Sequence, residues 1–128
     1  MQRSEDWLRQ ARKDLNHARK ASEGRDYEWA CFSAQQAAEK AVKGLFQSLN
    51  REAWGHSVSK LLASLPEDSK ADEELIEKAK ELDRHYIPTR YPNFHPEGAP
   101  MDYYTENDAL GAVKCAEEIL GFCEGKGS

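Results

Sequence analysis

DYEWACFSAQQAAEKAVKGLFQSLN, residues 26–50, decides the fold. Tyr27, Ala30, Cys31, Ala34, Ala37, Ala38, Ala41 and Leu45 recur at the three- and four-residue spacing of one buried helix face. Val42, Phe46 and Leu49 widen that stripe. A stripe this broad and this rich in alanine predicts a central helix with close neighbours on more than one side. At 1.5 Å of rise per residue the segment would run about 37 Å. Gln35, Gln36, Glu39, Lys40 and Lys43 fall on its remaining, polar face.

The same period extends to both sides. Toward the N-terminus, Leu8, Ala11, Leu15 and Ala18 mark a helix over about 4–21. Ser4 reads as its N-cap, Glu5 and Asp6 suit its first turn, and Gly24 ends it. Toward the C-terminus, Val58, Leu61, Leu62 and Leu65 form a short helix stopped by Pro66. A polar linker, 67–70, leads to a helix over about 71–86, with Leu75, Ala79, Leu82 and Tyr86 on one face. Pro88 should end it, because the residue before a proline avoids helical geometry. Residues 88–104 read as a proline-rich loop. Thr105 then caps a last helix, with Asp108 as its capping-box partner. Ala109, Ala112, Val113, Ala116, Ile119, Leu120 and Cys123 face inward, and 124–128 reads as a frayed tail. No strand pattern, repeat or low-complexity tract interrupts this order. The expected fold class is all-α: a single domain over 1–128, an up-and-down bundle of four main helices plus a short one.

Composition narrows the function classes. The chain has 128 residues, 39% hydrophobic and 32% charged, with a formal net charge of −5. A negative balance argues against strong non-specific nucleic-acid binding, which depends on many phosphate contacts. The absence of an apolar run of roughly 18 residues argues against a membrane span. The start, MQRSEDWLRQARKD, lacks the apolar core of a secretion signal, so a cytoplasmic location and no membrane partner are expected. Cys31, Cys115 and Cys123 show no close pairing and read as small hydrophobes. No Gly-rich phosphate loop, HExxH motif or aspartate cluster is present, so neither a metal nor a cofactor is expected.

The chemistry-bearing candidates gather around YIPTRYPNFH, residues 86–95. Arg84, His85, Arg90 and His95 stand there against Asp83 alone. Arginine offers a planar fork of donors that matches a phosphate, and histidine exchanges protons near neutral pH. Together Arg90 and His95 could cleave RNA without a metal, the histidine assisting the 2′-hydroxyl or leaving group and the arginine stabilising charge on phosphorus. From the residues alone the rival reading is a helix-ending turn whose arginine caps the preceding carbonyls. Glu39 and Lys43 likewise read two ways. They form a solvated i, i+4 pair, or they border the loop, with Glu39 orienting Arg90 and Lys43 meeting a phosphate. His56 reads as a capping or packing residue, Trp29 as an edge residue of an interface, and Tyr103 and Tyr104 as packing.

Three stretches in order resemble the HEPN domain family. They are Cys31-Phe-Ser-Ala-Gln-Gln-Ala-Ala-Glu-Lys-Ala-Val-Lys-Gly-Leu-Phe46, Gly55-His56 before a Leu-Leu helix, and Tyr86-Ile-Pro-Thr-Arg-Tyr-Pro-Asn93. The resemblance implies a helical bundle that dimerises. It also implies a partner: many members are encoded beside a small nucleotidyltransferase of the MNT type, as toxin and antitoxin, the HEPN protein being a metal-independent ribonuclease. That family's ribonuclease motif is an arginine, four to six residues, then a histidine, which Arg90 and His95 fit; a dimer would bring two such loops together. Active members usually carry a polar residue after the arginine, where this chain has Tyr91. Some carry a modified tyrosine two residues after the histidine, where this chain has Glu97. The Thr-Arg-Tyr-Pro form resembles the branch described as nucleotide-binding. The expectation is therefore a homodimer that binds a nucleotide or RNA phosphate through Arg90, Tyr91, Asn93, Lys43 and Glu39 and acts with the transferase. The alternatives are an active ribonuclease toxin using Arg90 and His95, and a non-catalytic dimeric scaffold for the transferase.

Overall fold

A computed structural model describes residues 3–127. Five α-helices carry the fold: α1 (Ser4–Glu23), α2 (Tyr27–Ser48), α3 (Val58–Ala63), α4 (Glu73–Asp83) and α5 (Glu106–Gly127). No strand occurs among the described residues. Ser4 is the first helical residue rather than the cap; Arg3 occupies the cap position without a side-chain bond, and its N–H donates to the Gln47 side chain at 3.2 Å. The acidic first turn of Glu5 and Asp6 is present as read.

Register fixes the topology. Lys40 meets Asp14 at 2.5 Å, and the α-carbon of Gly44 lies against Trp7 and Leu8, so α1 and α2 are antiparallel. Arg12 pairs with Glu124 and Arg19 with Glu117, each at 2.6 Å, so α5 is antiparallel to α1. Lys78 reaches Glu118 at 2.8 Å, and His85, just past the end of α4, packs on Tyr104, just before α5, with rings 5.6 Å apart, so α4 is antiparallel to α5. The result is an up-down-up-down bundle with α3 set into the α2–α4 connection.

Helix α2 touches every other α-helix, as its wide stripe requires. Ala30, Ala34, Ala37, Ala38 and Ala41 are fully buried and let neighbouring backbones approach closely. Leu45, Leu62, Leu82 and Ile119 supply the volume; truncating any one to alanine would cost about 2–5 kcal/mol. The "polar" face of α2 is only partly polar in position. Gln35 and Glu39 are buried.

Helix α4 differs from the sequence reading at both ends: it starts at Glu73, where the Asp72 side chain accepts from the Leu75 N–H at 2.8 Å, rather than at about 71. Helix α4 ends at Asp83, before Tyr86, and residues 84–90 continue as tight turns closed by three-residue bonds from His85 to Leu82, Tyr86 to Asp83 and Arg90 to Ile87. Pro88 has no N–H to donate back to the preceding turn, and the last turns tighten instead of continuing as α-helix. The proline-rich loop also contains 3-10 turns at Pro92–Phe94 and Pro100–Asp102, with Pro100 buried. Helix α5 starts as expected: the Thr105 hydroxyl accepts from the Asp108 N–H at 3.2 Å and Asp108 accepts from the Thr105 N–H at 2.9 Å. It continues through Gly127; Ser128 lies outside the described residues.

Candidate functional site

The turns after α4 leave the Tyr86 carbonyl without a helical partner, and Arg90 takes it. Its Nε and Nη2 donate to that carbonyl at 3.0 and 2.7 Å. The guanidinium carbon then lies 4.3 Å from the Phe32 ring, 4.8 Å from Tyr86 and 5.2 Å from Tyr91. Each such cation–ring contact contributes about 0.5–2 kcal/mol, more as water is excluded. Nη1 has no hydrogen-bond partner among the described residues. Thr89, buried beside it, donates to the His85 carbonyl at 2.6 Å and stiffens the same turn. The arginine thus does cap the turns that follow α4, and it keeps one donor edge for something else.

A second group stands on the other side of the Tyr86 contacts. The His56 ring stacks on Tyr86 with centroids 4.6 Å apart and planes 17° from parallel. Its Nδ1 lies 3.1 and 3.2 Å from the two Glu39 oxygens. The Glu39 side chain is only 7% exposed, whereas the His56 side chain is 56% exposed. Lys43 donates to Glu39 at 2.9 Å and Gln35 at 3.2 Å; Gln35 also donates to the His56 carbonyl at 3.1 Å. A buried carboxylate needs such partners, because its desolvation is otherwise uncompensated. The segment carrying His56 is pinned from its other end. The Asp83 carboxylate accepts from the Val58 N–H at 2.7 Å, the Ser57 hydroxyl at 2.9 Å and both donors of Ser59.

The residues singled out in the sequence are distributed as follows. Arg90 and Tyr91 adjoin. Glu39 and Lys43 form their ion pair, but it is buried rather than solvated. Glu39 reaches the loop through His56 and Tyr86 and makes no bond to Arg90. Asn93 is exposed on its 3-10 turn. The His95 Nε2 lies 2.7 Å from the Pro88 carbonyl and its ring stacks on Tyr103 at 4.3 Å, with no hydrogen bond or ring contact to Arg90. The expected cationic cluster is thinner than its residue count: Arg84 is spent on Glu81 at 2.6 Å, and burial pushes His85 below its ordinary range and so toward the neutral form. Sequence reasoning passed over His56, Phe32 and Tyr86 as site residues. One signal was available for Phe32: an aromatic residue off the apolar stripe of α2. It carries the row outward, edge-on to Trp29 at 6.1 Å. Trp29 is 49% and Tyr91 47% exposed.

Comparison with known proteins supplies the family. The HEPN domain model matches residues 4–126. The chain belongs to the HEPN domain family. Among solved structures, TT1696 from Thermus thermophilus is 52% identical, with a TM-score of 0.96 over 98% of this chain and 99% of that one. ST0689, described as an archaeal HEPN homologue, is 48% identical with a TM-score of 0.83, covering both chains fully. The HEPN domain protein TM0613 from Thermotoga maritima is 41% identical, with a TM-score of 0.77 over 94% of this chain and 95% of that one. A curated relative from Methanocaldococcus jannaschii, named "Putative toxin MJ1304", is 28% identical across 89% of this chain and 81% of its own length. No helix among the described residues is long and apolar enough to cross a membrane.

Proposed function

We propose that this HEPN protein binds a nucleotide, or the phosphate of an RNA strand, at the Arg90 loop, and acts as a homodimer with an MNT-type nucleotidyltransferase in a toxin–antitoxin type pair. One observation carries the reading. The Arg90 guanidinium is fixed among Phe32, Tyr86 and Tyr91 and keeps Nη1 unused. A pre-positioned guanidinium forms charge-assisted bonds to phosphate at little entropic cost. The half-exposed rings of Tyr91, next to Arg90, and of Trp29, against Phe32, suit the stacking of a base. Tyr91 and Asn93 flank the anion position on the loop. Glu39 and Lys43 act from behind, holding His56. The toxin-named relative supports the biological setting.

Binding of ATP, GTP and a short labelled RNA to the purified protein tests this, by thermal shift and fluorescence anisotropy. Arg90→Ala should weaken binding by about 10- to 100-fold, the worth of a charge-assisted hydrogen bond. Equal binding by wild type and Arg90→Ala would place the ligand elsewhere. No binding of any of these ligands, with a transferase encoded beside the gene still co-purifying, would leave a scaffold.

A further inference from the structure

We infer that His56, carried by Glu39 and stacked on Tyr86, is the proton acceptor of the Arg90 site, acting on a ribose hydroxyl next to the bound phosphate. The inference rests on the binding reading above.

Four observations lead to it. First, a carboxylate can only accept, so the nitrogen facing the two Glu39 oxygens at 3.1 and 3.2 Å carries the hydrogen. The neutral ring then keeps its lone pair on Nε2, which has no partner among the described residues. Second, that carboxylate is itself immobile, buried and held by Lys43 and Gln35. A carboxylate behind a histidine fixes its tautomer and stabilises the imidazolium that forms when it takes a proton. Third, His56 and Arg90 share the Tyr86 ring as a neighbour, at 4.6 and 4.8 Å from its centroid, and the imidazole is more than half exposed, so both groups border the same patch of surface. Fourth, His95 lacks these attributes: no carboxylate holds it, and its Nε2 is engaged by the Pro88 carbonyl.

The step balances without a metal. Nε2 of His56 takes the proton of a 2′-hydroxyl, and the freed oxygen attacks the adjacent phosphorus. The bond from phosphorus to the 5′-oxygen breaks, leaving a 2′,3′-cyclic phosphate. The departing 5′-oxygen takes a proton from water, and the imidazolium returns its proton to the resulting hydroxide. Arg90 Nη1 is placed to neutralise charge on the phosphoryl oxygens. His56 is the catalytic residue here; Glu39 is a positioning residue.

The test uses the full chain in EDTA with an RNA oligomer, and its all-2′-deoxy counterpart as an uncleavable ligand. His56→Phe keeps a ring on Tyr86 and removes both nitrogens. It should cleave about 100-fold more slowly or worse, the usual loss of a general base, with unchanged affinity for the deoxy oligomer. Glu39→Gln should lower the single-turnover rate and leave that affinity intact, which a merely structural role would not do. If His56→Phe melts early, His56→Gln serves in its place. A loss confined to His95→Ala, or wild-type cleavage by the His56 variants, overturns the inference. So does wild-type protein that binds the oligomer without cutting it, although binding at Arg90 would then stand. Failure to bind either oligomer would remove both.

Discussion

The Asp83 carboxylate receives both the backbone N–H of Ser59, at 3.2 Å, and its hydroxyl, at 2.6 Å. The last residue of α4 thereby closes the first turn of α3, across 24 residues of chain. Asp83→Ala would orphan the donors at the start of α3 and free the segment that bears His56. Capping losses cost about 0.5–2 kcal/mol and charged hydrogen bonds about 1.5–3. We expect a loss of about 2–3 kcal/mol and a Tm lower by roughly 10 °C. Calorimetry checks this, and a Tm unchanged from wild type would deny the cap its structural role.

The glycines of the helices separate into two kinds. A β-carbon on Gly44 would sit 3.1 Å from the Trp7 Cβ, 3.2 Å from the Leu8 Cγ and 3.3 Å from the Ser4 carbonyl. The Ser4 carbonyl is α1 backbone and the Trp7 Cβ is bonded directly to that backbone, so neither can yield locally. Overpacking of about 1–3 kcal/mol outweighs the helix-propensity gain of about 1, so Gly44→Ala should destabilise by about 1 kcal/mol. Gly111 and Gly121 have nothing near. Alanine at either should stabilise by up to about 1 kcal/mol. Urea denaturation of the three variants reads the sign directly.

His85 predicts an acid-sensitive stability. Its Nδ1 is buried without a hydrogen-bond partner, and burial lowers its basicity below the ordinary 6.5, against the opposing pull of Asp108 and Glu81. The unfolded chain therefore binds the proton at a pH where the folded one does not. The stability tied to this group is complete above about pH 6.5 and falls as pH drops toward the folded value. His85→Phe, which keeps a ring against Tyr104, should lose less Tm than wild type between about pH 7.5 and about pH 5.5. Parallel Tm profiles would contradict it.

The thiols should be sluggish. Burial pushes Cys31 up to about 12 and raises Cys115 and Cys123 as well. Only the thiolate reacts readily. A thiol-specific chromogenic reagent at about pH 8 should label the native protein far more slowly than the denatured one, which should give three equivalents. Rapid labelling of native protein would mean that the core opens more readily than its packing implies.

The sequence was most readable where contacts are local. The stripe from Tyr27 to Leu45 announced a helix enclosed on several sides, and the Thr105–Asp108 box sits where three-residue spacing put it. Ser4 misled because a good capping residue type says nothing about which residue the tertiary contacts admit as the first turn; Ser4 is buried beside Gly44. The site was harder. Glu39 and Lys43 have the spacing of a solvated pair, but Glu39 is buried and the returning segment sets His56 against it. Nothing in the periodicity of α2 reports that return. The cation count at 84–95 failed for a related reason: what a charge can do depends on its partners, and Arg84 and His85 spend theirs on a neighbour and on burial.

Residues 32, 39, 56, 86 and 90 make the candidate site, and no two consecutive members share one helix beyond the first pair. The ribosome releases Phe32, Glu39 and His56 well before Arg90, and Arg90 does not meet Phe32 until the segment after α4 has folded back on α2. A growing chain therefore carries the ingredients without the arrangement. The setting of Arg90 is therefore a property of the finished fold and of no shorter piece of the chain.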